Sequence, residues 1–244
     1  MYNCEKQIVR VLAQLDKTVC EYISAVIVVN NRSTDNGEQA VKEWLKANRP
    51  AVPVTLLRND ENYGLGGSHK VAFDYALNNA YDYVVVLHGD DQGSIANLLP
   101  YLRSREYARY DSFLGARFMK GSSLEGYSRF RTFGNRVYDL GSGLNMYKVS
   151  SLRSRYYLRF KDNLMFNCYM LLAAGPLGQS QRFFPISWRE DDQVSNVKMF
   201  SQATRTLRML MSFTFNKRAF LDGEYRDKVI SAYTAQPVFE WEGE

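Results

Sequence analysis

Residues 83–92, YVVVLHGDDQ, run from an unbroken aliphatic stretch directly into clustered carboxylates. A β-branched run this apolar reads as a strand buried on both faces, with its polar end at the rim of a sheet. Carboxylate oxygens held there can ligate a hard cation that carries a phosphate. Two upstream segments repeat the plan, AVIVVNNRSTDNG at Ala25 to Gly37 and RNDENYGLGGSHK at Arg58 to Lys70.

Helical spacing fills the intervals. Ile8, Val11, Leu12 and Leu15 fall at i, i+3, i+4 and i+7, and Val41, Trp44 and Leu45 form a second stripe. Strands are expected at Ala25 to Val29, Val54 to Leu57, Tyr83 to Leu87 and, more briefly, Phe113 to Gly115. Helices are expected from Gly64 to about Asn79, over Ser94 to Leu102, around Phe130 to Leu140 and around Leu164 to Ala174. This alternation predicts an α/β fold with a mostly parallel central sheet flanked by helices. In such sheets ligands lie outside the carboxyl ends of the strands, where Asn30 to Asp35, Asn59 to Gly67 and His88 to Gln92 converge.

The 244 residues suit one α/β core with a tail. No apolar run is long enough for a membrane span, and the start lacks a signal-peptide pattern, so a cytoplasmic protein is expected. Cys4, Cys20 and Cys168 are too scattered for a disulfide framework and are expected to be reduced. A net charge of +5 favours anionic partners without choosing among them. Val197, Phe200, Thr204, Leu207 and Met211 share one helical face, with Lys198, Arg205 and Arg208 displaced from it, which describes a basic amphipathic helix. Such a helix suits work at the inner face of a membrane, each near-surface cation contributing about 1 kcal/mol toward anionic lipid.

Together the three loop segments resemble the family 2 glycosyltransferases of the GT-A fold. The pattern is most similar to the dolichyl and polyprenyl-phosphate sugar transferase branch. In that family the third loop commonly reads Asp-x-Asp followed by x-Gln. Asp90 and Gln92 match, and His88 replaces the first acid. The resemblance implies a divalent metal, Mn2+ or Mg2+, near Asp90, Gln92 and His88, although His88 is as readily a hydrogen-bonding residue as a ligand. Asp91 joins the donor site in this reading, and its ordinary alternative is to cap the next helix. Asn30 and Asn31 stand where the family has acids, followed by Arg32, Ser33, Thr34 and Asp35. Their amides suit a base or ribose, and an ordinary turn is the alternative. Asn62, Gly64, Gly66 and Gly67 match a glycine segment that admits the donor backbone to backbone, and Lys70 stands one turn further on, in reach of a phosphate or merely solvated.

Gly115, Ala116 and Arg117 resemble the family's Gly-Ser-Arg strand end, and Asp139 to Gly143 resemble an acceptor loop. Arg189 and Ser195 fall at the matching places of a late Pro, Arg and Ser-Lys segment, and the resemblance implies donor contacts from Arg117 and Arg189 as from Tyr2, Asp35 and Gly66. Tyr2 and Asn3 match the end of the family's first strand, so the fold is expected to lack that strand and the native start to lie upstream. The resemblance thus implies a GT-A domain over residues 1–195, with a donor half at 1–117, an acceptor half at 118–195, and a basic helix and tail at 196–244.

The implied reaction passes a sugar from a nucleoside diphosphate donor to a polyprenyl phosphate or glycan acceptor, with inversion. A phosphate monoester arrives ionised, whereas an alcohol needs a base. The base candidates are Asp139 and the Glu190, Asp191, Asp192 cluster, with Asp139 and Asp191 taken as catalytic. Two alternatives remain. One is a noncatalytic nucleotide- or partner-binding subunit of a glycan pathway. The other is a nucleic-acid module built on Arg155, Tyr156, Tyr157 and Arg159, which the acid cluster disfavours unless a metal intervenes.

Overall fold

The computed structural model describes residues 1–125, 138–189 and 199–243. In chain order it forms α1 (Glu5–Leu12), α2 (Lys17–Cys20), β1 (Val26–Asn30), α3 (Gly37–Asn48), β2 (Val54–Asn59), α4 (Gly64–Asn78), β3 (Tyr83–Leu87) and α5 (Leu99–Ser104). Then follow β4 (Ser112–Ala116), β5 (Ser123–Glu125), β6 (Leu144–Lys148), α6 (Phe166–Ala174), β7 (Gln181–Pro185), β8 (Ser187–Arg189), α7 (Met199–Phe215), α8 (Lys217–Asp222) and β9 (Ala235–Trp241).

The α/β class is as expected, but the sheet is mixed rather than mostly parallel. β1 and β2 are parallel, and β9 returns antiparallel along the other edge of β2. A second sheet has the order β3-β6-β4-β7, in which β6 runs antiparallel to both neighbours and β7 is parallel to β4. β5 and β8 form a short parallel pair. The end of the tail thus closes the first sheet, with Trp241 Nε1 donating to the Pro50 carbonyl at 2.8 Å.

No described strand lies between β1 and β3, and the sheet divides there. At their carboxyl ends Met1 fits into the division. Its amino group donates to Val29 O at 2.6 Å, and its carbonyl accepts from Asn31 N at 2.9 Å. This is the bonding of a parallel bridge opposite Asn30.

The continuous apolar runs are explained by burial on both faces. On β3, Val84 and Val86 pack toward Phe73, Tyr147 and Phe166, while Tyr83, Val85 and Leu87 pack toward Ile95, Leu98 and Phe113. On β1, Val28 joins Ile8, Leu12, Val41 and Leu45, and Ile27 and Val29 face Val71 and Tyr63. α1 and α3 thus cover one side of the first sheet and α4 the other.

The three cysteines form no disulfide, and no described helix is long and apolar enough to cross a membrane. Of the run considered for nucleic acid, the two tyrosines are packed inward while Arg155 and Arg159 are exposed. Tyr157 is buried with its hydroxyl donating to Asp74 at 2.9 Å, and Arg155 meets the same carboxylate at 3.5 Å. Rings held this way offer no stacking face to a base. Most of the helix expected around Phe130 to Leu140, and Glu190, Asp191, Asp192 and Ser195, lie outside the described residues.

Candidate functional site

The loops that follow β1, β2 and β3 meet at one rim. After β1 the chain turns through Arg32, whose φ is 62°, while Asn30 Oδ1 accepts the Ser33 N–H at 2.9 Å. The Asn30 amide nitrogen donates to Glu38 at 3.1 Å, and Glu38 is also held by Arg58 and Lys42. Those cations, Arg58 first, bring the Glu38 carboxyl down to about 2. Asp35 accepts the N–H groups of Glu5 at 2.9 Å and Gly37 at 3.1 Å, so it ties α1 to the start of α3. Asn3 Oδ1 accepts from Thr34 N at 2.8 Å, which pins the first residues over the same loop. Tyr2 between them is exposed at the rim.

A neutral amide network joins the first two loops. Asn31 Oδ1 accepts from Asn59 Nδ2 at 2.9 Å and Tyr63 N at 2.8 Å, and its own Nδ2 donates to Asn62 Oδ1 at 2.8 Å. Asn62 Oδ1 accepts Gly64 N as well, at 3.0 Å, while the residue stays exposed. Uncharged amides suit this buried position, where an acid would need a cation. Asn31 and Asn62 thus set the shape of the rim, and Asn62 also faces the space above it.

The glycine segment is packed, not open. Gly66 donates its N–H to Asp162 O at 2.8 Å, and a Cβ on it would stand 2.4 Å from the Lys161 carbonyl oxygen. Its role is the close approach of α4 to the 161–162 backbone. Lys70 likewise does not reach outward. Its ammonium is buried and donates to Phe160 O at 2.6 Å, Asp162 Oδ1 at 2.7 Å, Leu158 O at 3.1 Å and Tyr233 OH at 3.1 Å. Burial brings it down to about 8 despite the Asp162 carboxylate. Lys70 therefore does not make the phosphate contact expected of it, because its ammonium is buried against four protein oxygens.

The third loop separates its two acids. Asp91, with φ 60°, is buried, and its Oδ2 accepts from Arg10 Nε at 2.6 Å and Arg189 Nη2 at 2.6 Å. Gln14 adds a long contact at 3.4 Å and bridges onward to Gly93 O and Ile95 N. Asp91 and Arg189, both expected to touch the donor, are bound to each other and to α1. Arg10 and Gln14 are the clamp the sequence reading missed. Their signal is a polar pair four residues apart, Arg10 in the last turn of α1 and Gln14 just beyond it.

Asp90 stands differently. It is half-buried, its Oδ1 accepts the Gln92 N–H at 3.3 Å, and no described lysine or arginine pairs with it. Burial pushes its carboxyl up, against the opposing pull of the Met1 amino group nearby. A carboxylate disfavoured by burial gains from a further counter-charge. His88 is packed against its neighbours. Its ring lies edge-on to His69 with centroids 5.6 Å apart, its Nε2 is buried without a partner, and Gly143 is held so close that a Cβ would meet Nδ1 at 2.8 Å. Burial brings the His88 ring down to about 4, so it is neutral, and the metal role expected for it alongside Asp90 is not what the geometry offers.

On the far side of β3, Arg117 closes on Asp139 through Nε at 2.7 Å and Nη2 at 2.8 Å, while its backbone N–H donates to the same carboxylate at 3.0 Å. Gly141 N adds a fourth bond at 3.0 Å. The guanidinium also lies 5.1 Å from the Trp188 ring. The two residues expected for base and donor contact are thus one buried ion pair.

The sequence profile described as glycosyl transferase family 2 matches residues 1–171, more than half of the chain. The chain belongs to glycosyl transferase family 2. No curated protein matches it. Among solved structures it is similar to Staphylococcus aureus TarS residues 1–349, with TM-score 0.51 and 18% identity over 80% of this chain and 57% of that one. The same TarS fragment in complex with UDP-GlcNAc gives TM-score 0.55 and 16% identity, covering 87% and 64%. The mannosyltransferase PcManGT from Pyrobaculum calidifontis, solved with GDP-Man and Mn2+, gives TM-score 0.60 and 15% identity, covering 88% and 62%. These likenesses show the GT-A fold, and the chain spans about three-fifths of each of those chains.

Among the described residues no three His, Cys, Asp or Glu side chains are grouped to hold a metal. Asp90, with Gln92 beside it, still fits an ion that arrives with a diphosphate and keeps its waters, because Mg2+-type sites need only one or two carboxylates when phosphates supply the rest.

Proposed function

We propose that this family 2 chain is a sugar transferase that binds a nucleoside diphosphate sugar at the carboxyl ends of β1 and β3. It passes the sugar, with inversion, to a polyprenyl phosphate or glycan acceptor. The observation that carries the reading is Asp90, a half-buried carboxylate at a strand end that no described lysine or arginine pairs with and that burial pushes up. A divalent ion held by Asp90 and Gln92 would neutralise the charge that grows on the leaving diphosphate. Tyr2 and Asn62 stand exposed at the same rim for the base and ribose, with Asn30, Asn31 and Asp35 holding its shape. The neighbours' ligands, GDP-Man with Mn2+ and UDP-GlcNAc, support a nucleotide sugar of this class.

A phosphate acceptor suits the geometry better than an alcohol. Asp91 and Asp139 are both held by arginines, so neither is placed to take a proton from a hydroxyl. An ionised phosphate needs no such help. The donor half would be residues 1–117 and the acceptor half 118–195, with Asp191 left as a candidate base for a glycan acceptor.

The same two ion pairs favour a second reading, a noncatalytic subunit that binds nucleotide or a partner. Calorimetric titration of UDP and GDP with Mn2+, with Mg2+ and with chelator tests the first reading against it. Metal-dependent binding lost in Asp90→Ala, together with turnover of a labelled donor, supports the transferase. Metal-dependent binding without turnover supports the nucleotide-binding subunit, and no binding by the folded chain rejects the transferase and leaves only a partner-binding subunit.

A further inference from the structure

α7 has two unlike faces. Met209 is buried among the aromatic rings around Phe160, Phe213 packs beside it, and Thr206 donates to the Met165 sulfur at 3.8 Å. At 100° per residue these positions share the inward side. Leu207, Met211 and Phe215 occupy the opposite side, exposed to 59%, 50% and 82%. Steps of four residues set them in one row about 12 Å long. The sequence reading placed Leu207 and Met211 on a common face, and in the structure that face looks outward.

Cations flank the row. Arg205 and Arg208 line a cavity of about 330 Å3 together with Lys161, Tyr169, Tyr225 and Asp227. The acid in that cavity, Asp227, is already paired with Lys161. No described carboxylate pairs with either arginine, so positive charge remains open toward solvent. Lys217 and Arg218 follow, both exposed, at the start of α8.

Scattered exposed apolar side chains are ordinary, but an ordered aliphatic and aromatic row edged by guanidinium groups is not. α7 has 17 residues and no described helix qualifies to cross a membrane, so a helix of this kind lies along a surface. We propose that this face docks the protein on a lipid bilayer bearing anionic headgroups. Leu207, Met211 and Phe215 enter the acyl boundary while Arg205 and Arg208 meet lipid phosphate oxygens, the geometry a planar guanidinium suits best. Charge complementarity decides for this partner over an apolar protein groove, which would leave the arginines unmatched. The docking goes beyond sugar transfer and needs no donor to be observed, so its failure and that of the proposed reaction are separate results.

The test is vesicle co-sedimentation of the full chain on phosphatidylcholine alone and on phosphatidylcholine mixed with phosphatidylglycerol. Binding to the mixed vesicles only, weakened by salt, is expected. Arg205→Gln with Arg208→Gln should weaken it about thirtyfold, the sum of two near-surface cations. Leu207→Ser, Met211→Ser and Phe215→Ser together should abolish it with the melting temperature unchanged, since these side chains support no core. A Phe215→Trp variant should shift its emission to the blue on mixed vesicles, which reads insertion directly. Equal binding by the serine variant, equal binding to neutral vesicles, or displacement by inorganic phosphate alone would overturn the proposal. So would self-association removed by the serine variant with no vesicle binding, which would assign the face to a second copy.

Discussion

Arg117 and Asp139 meet as a two-pronged ion pair, Nε to Oδ2 at 2.7 Å and Nη2 to Oδ1 at 2.8 Å, with the Asp139 side chain almost wholly buried. Removing one member strands the other charge out of water, which costs about 3–5 kcal/mol in comparable pairs. Asp139→Ala is expected to lose about that much in urea unfolding, and Arg117→Met with Asp139→Leu to recover part of it. An Asp139→Ala protein of native stability that has lost only turnover would instead make Asp139 the base.

Lys70 and Asp162 join α4 to the 158–162 segment, and Tyr233 from the last part of the chain completes the contact with its hydroxyl 2.9 Å from the same carboxylate. The folded-state value for Lys70 is brought down to about 8, below its ordinary 10.5. Between those values the unfolded chain keeps the proton that the folded one has released, so stability rises with pH through that window by up to about 1.4 kcal/mol per unit. Below pH 8 both forms hold the proton and the contribution is flat. Lys70→Met should remove the rise and lower stability throughout, because the Leu158 and Phe160 carbonyls lose their donor. Thermal melts of both proteins from pH 7 to pH 10 measure it, and parallel curves would show that Lys70 does not titrate there. Donor affinity in the folded variant should be unaltered, since no Lys70 donor faces the rim.

What the sequence made legible was whatever local pattern alone determines. β1, β2 and β3 are doubly covered, so they are written as unbroken aliphatic runs, and the polar loops behind them had to share a rim. β6, reading LNMYK, lacks such a run, and β9 carries Pro237, which suits an edge strand and masks the rest of the pattern. Of the five strands absent from the sequence expectation, β5 to β9, these two bring the antiparallel pairings, which is why the sheet reads as mostly parallel from sequence. At the site, residue types were legible but their partners were not. Asp91 and Asp90 are adjacent in sequence, yet only the fold delivers Arg10 and Arg189 to one of them. Lys70 looked free because Asp162 and Tyr233 lie far along the chain.

The clamp on Asp91 has its own consequence. Its φ of 60° is a left-handed conformation that Asn tolerates, so Asp91→Asn keeps the turn and removes only the charge. Arg10 and Arg189 are both near half-exposed, so water can take them up and neither charge is stranded. A loss of about 1.5–3 kcal/mol is expected, the range for hydrogen bonds to charged groups. Arg10→Gln added to the Asp91→Asn variant should cost little more, whereas additive losses in a double-mutant cycle would mean the two side chains do not act through each other.

Asp90 separates binding from stability most sharply. Burial raises its carboxyl above the ordinary value, so the folded chain holds the ionised form at a disadvantage. A raised acid contributes stability that is complete below the unfolded value and is lost as pH rises through the folded one, so at neutral pH the charge works against the fold. Asp90→Asn keeps the shape and the Gln92 contact while deleting that charge. The variant should therefore melt at or above the temperature of the parent at pH 7, with the difference vanishing below the ordinary carboxylate range. Its affinity for a nucleoside diphosphate with Mn2+ should fall at least about tenfold, the loss expected when a charged ligand to a divalent ion becomes neutral. A variant that melts lower would show that Asp90 is a structural acid like Asp91, and unchanged metal-dependent affinity would move the donor ion elsewhere.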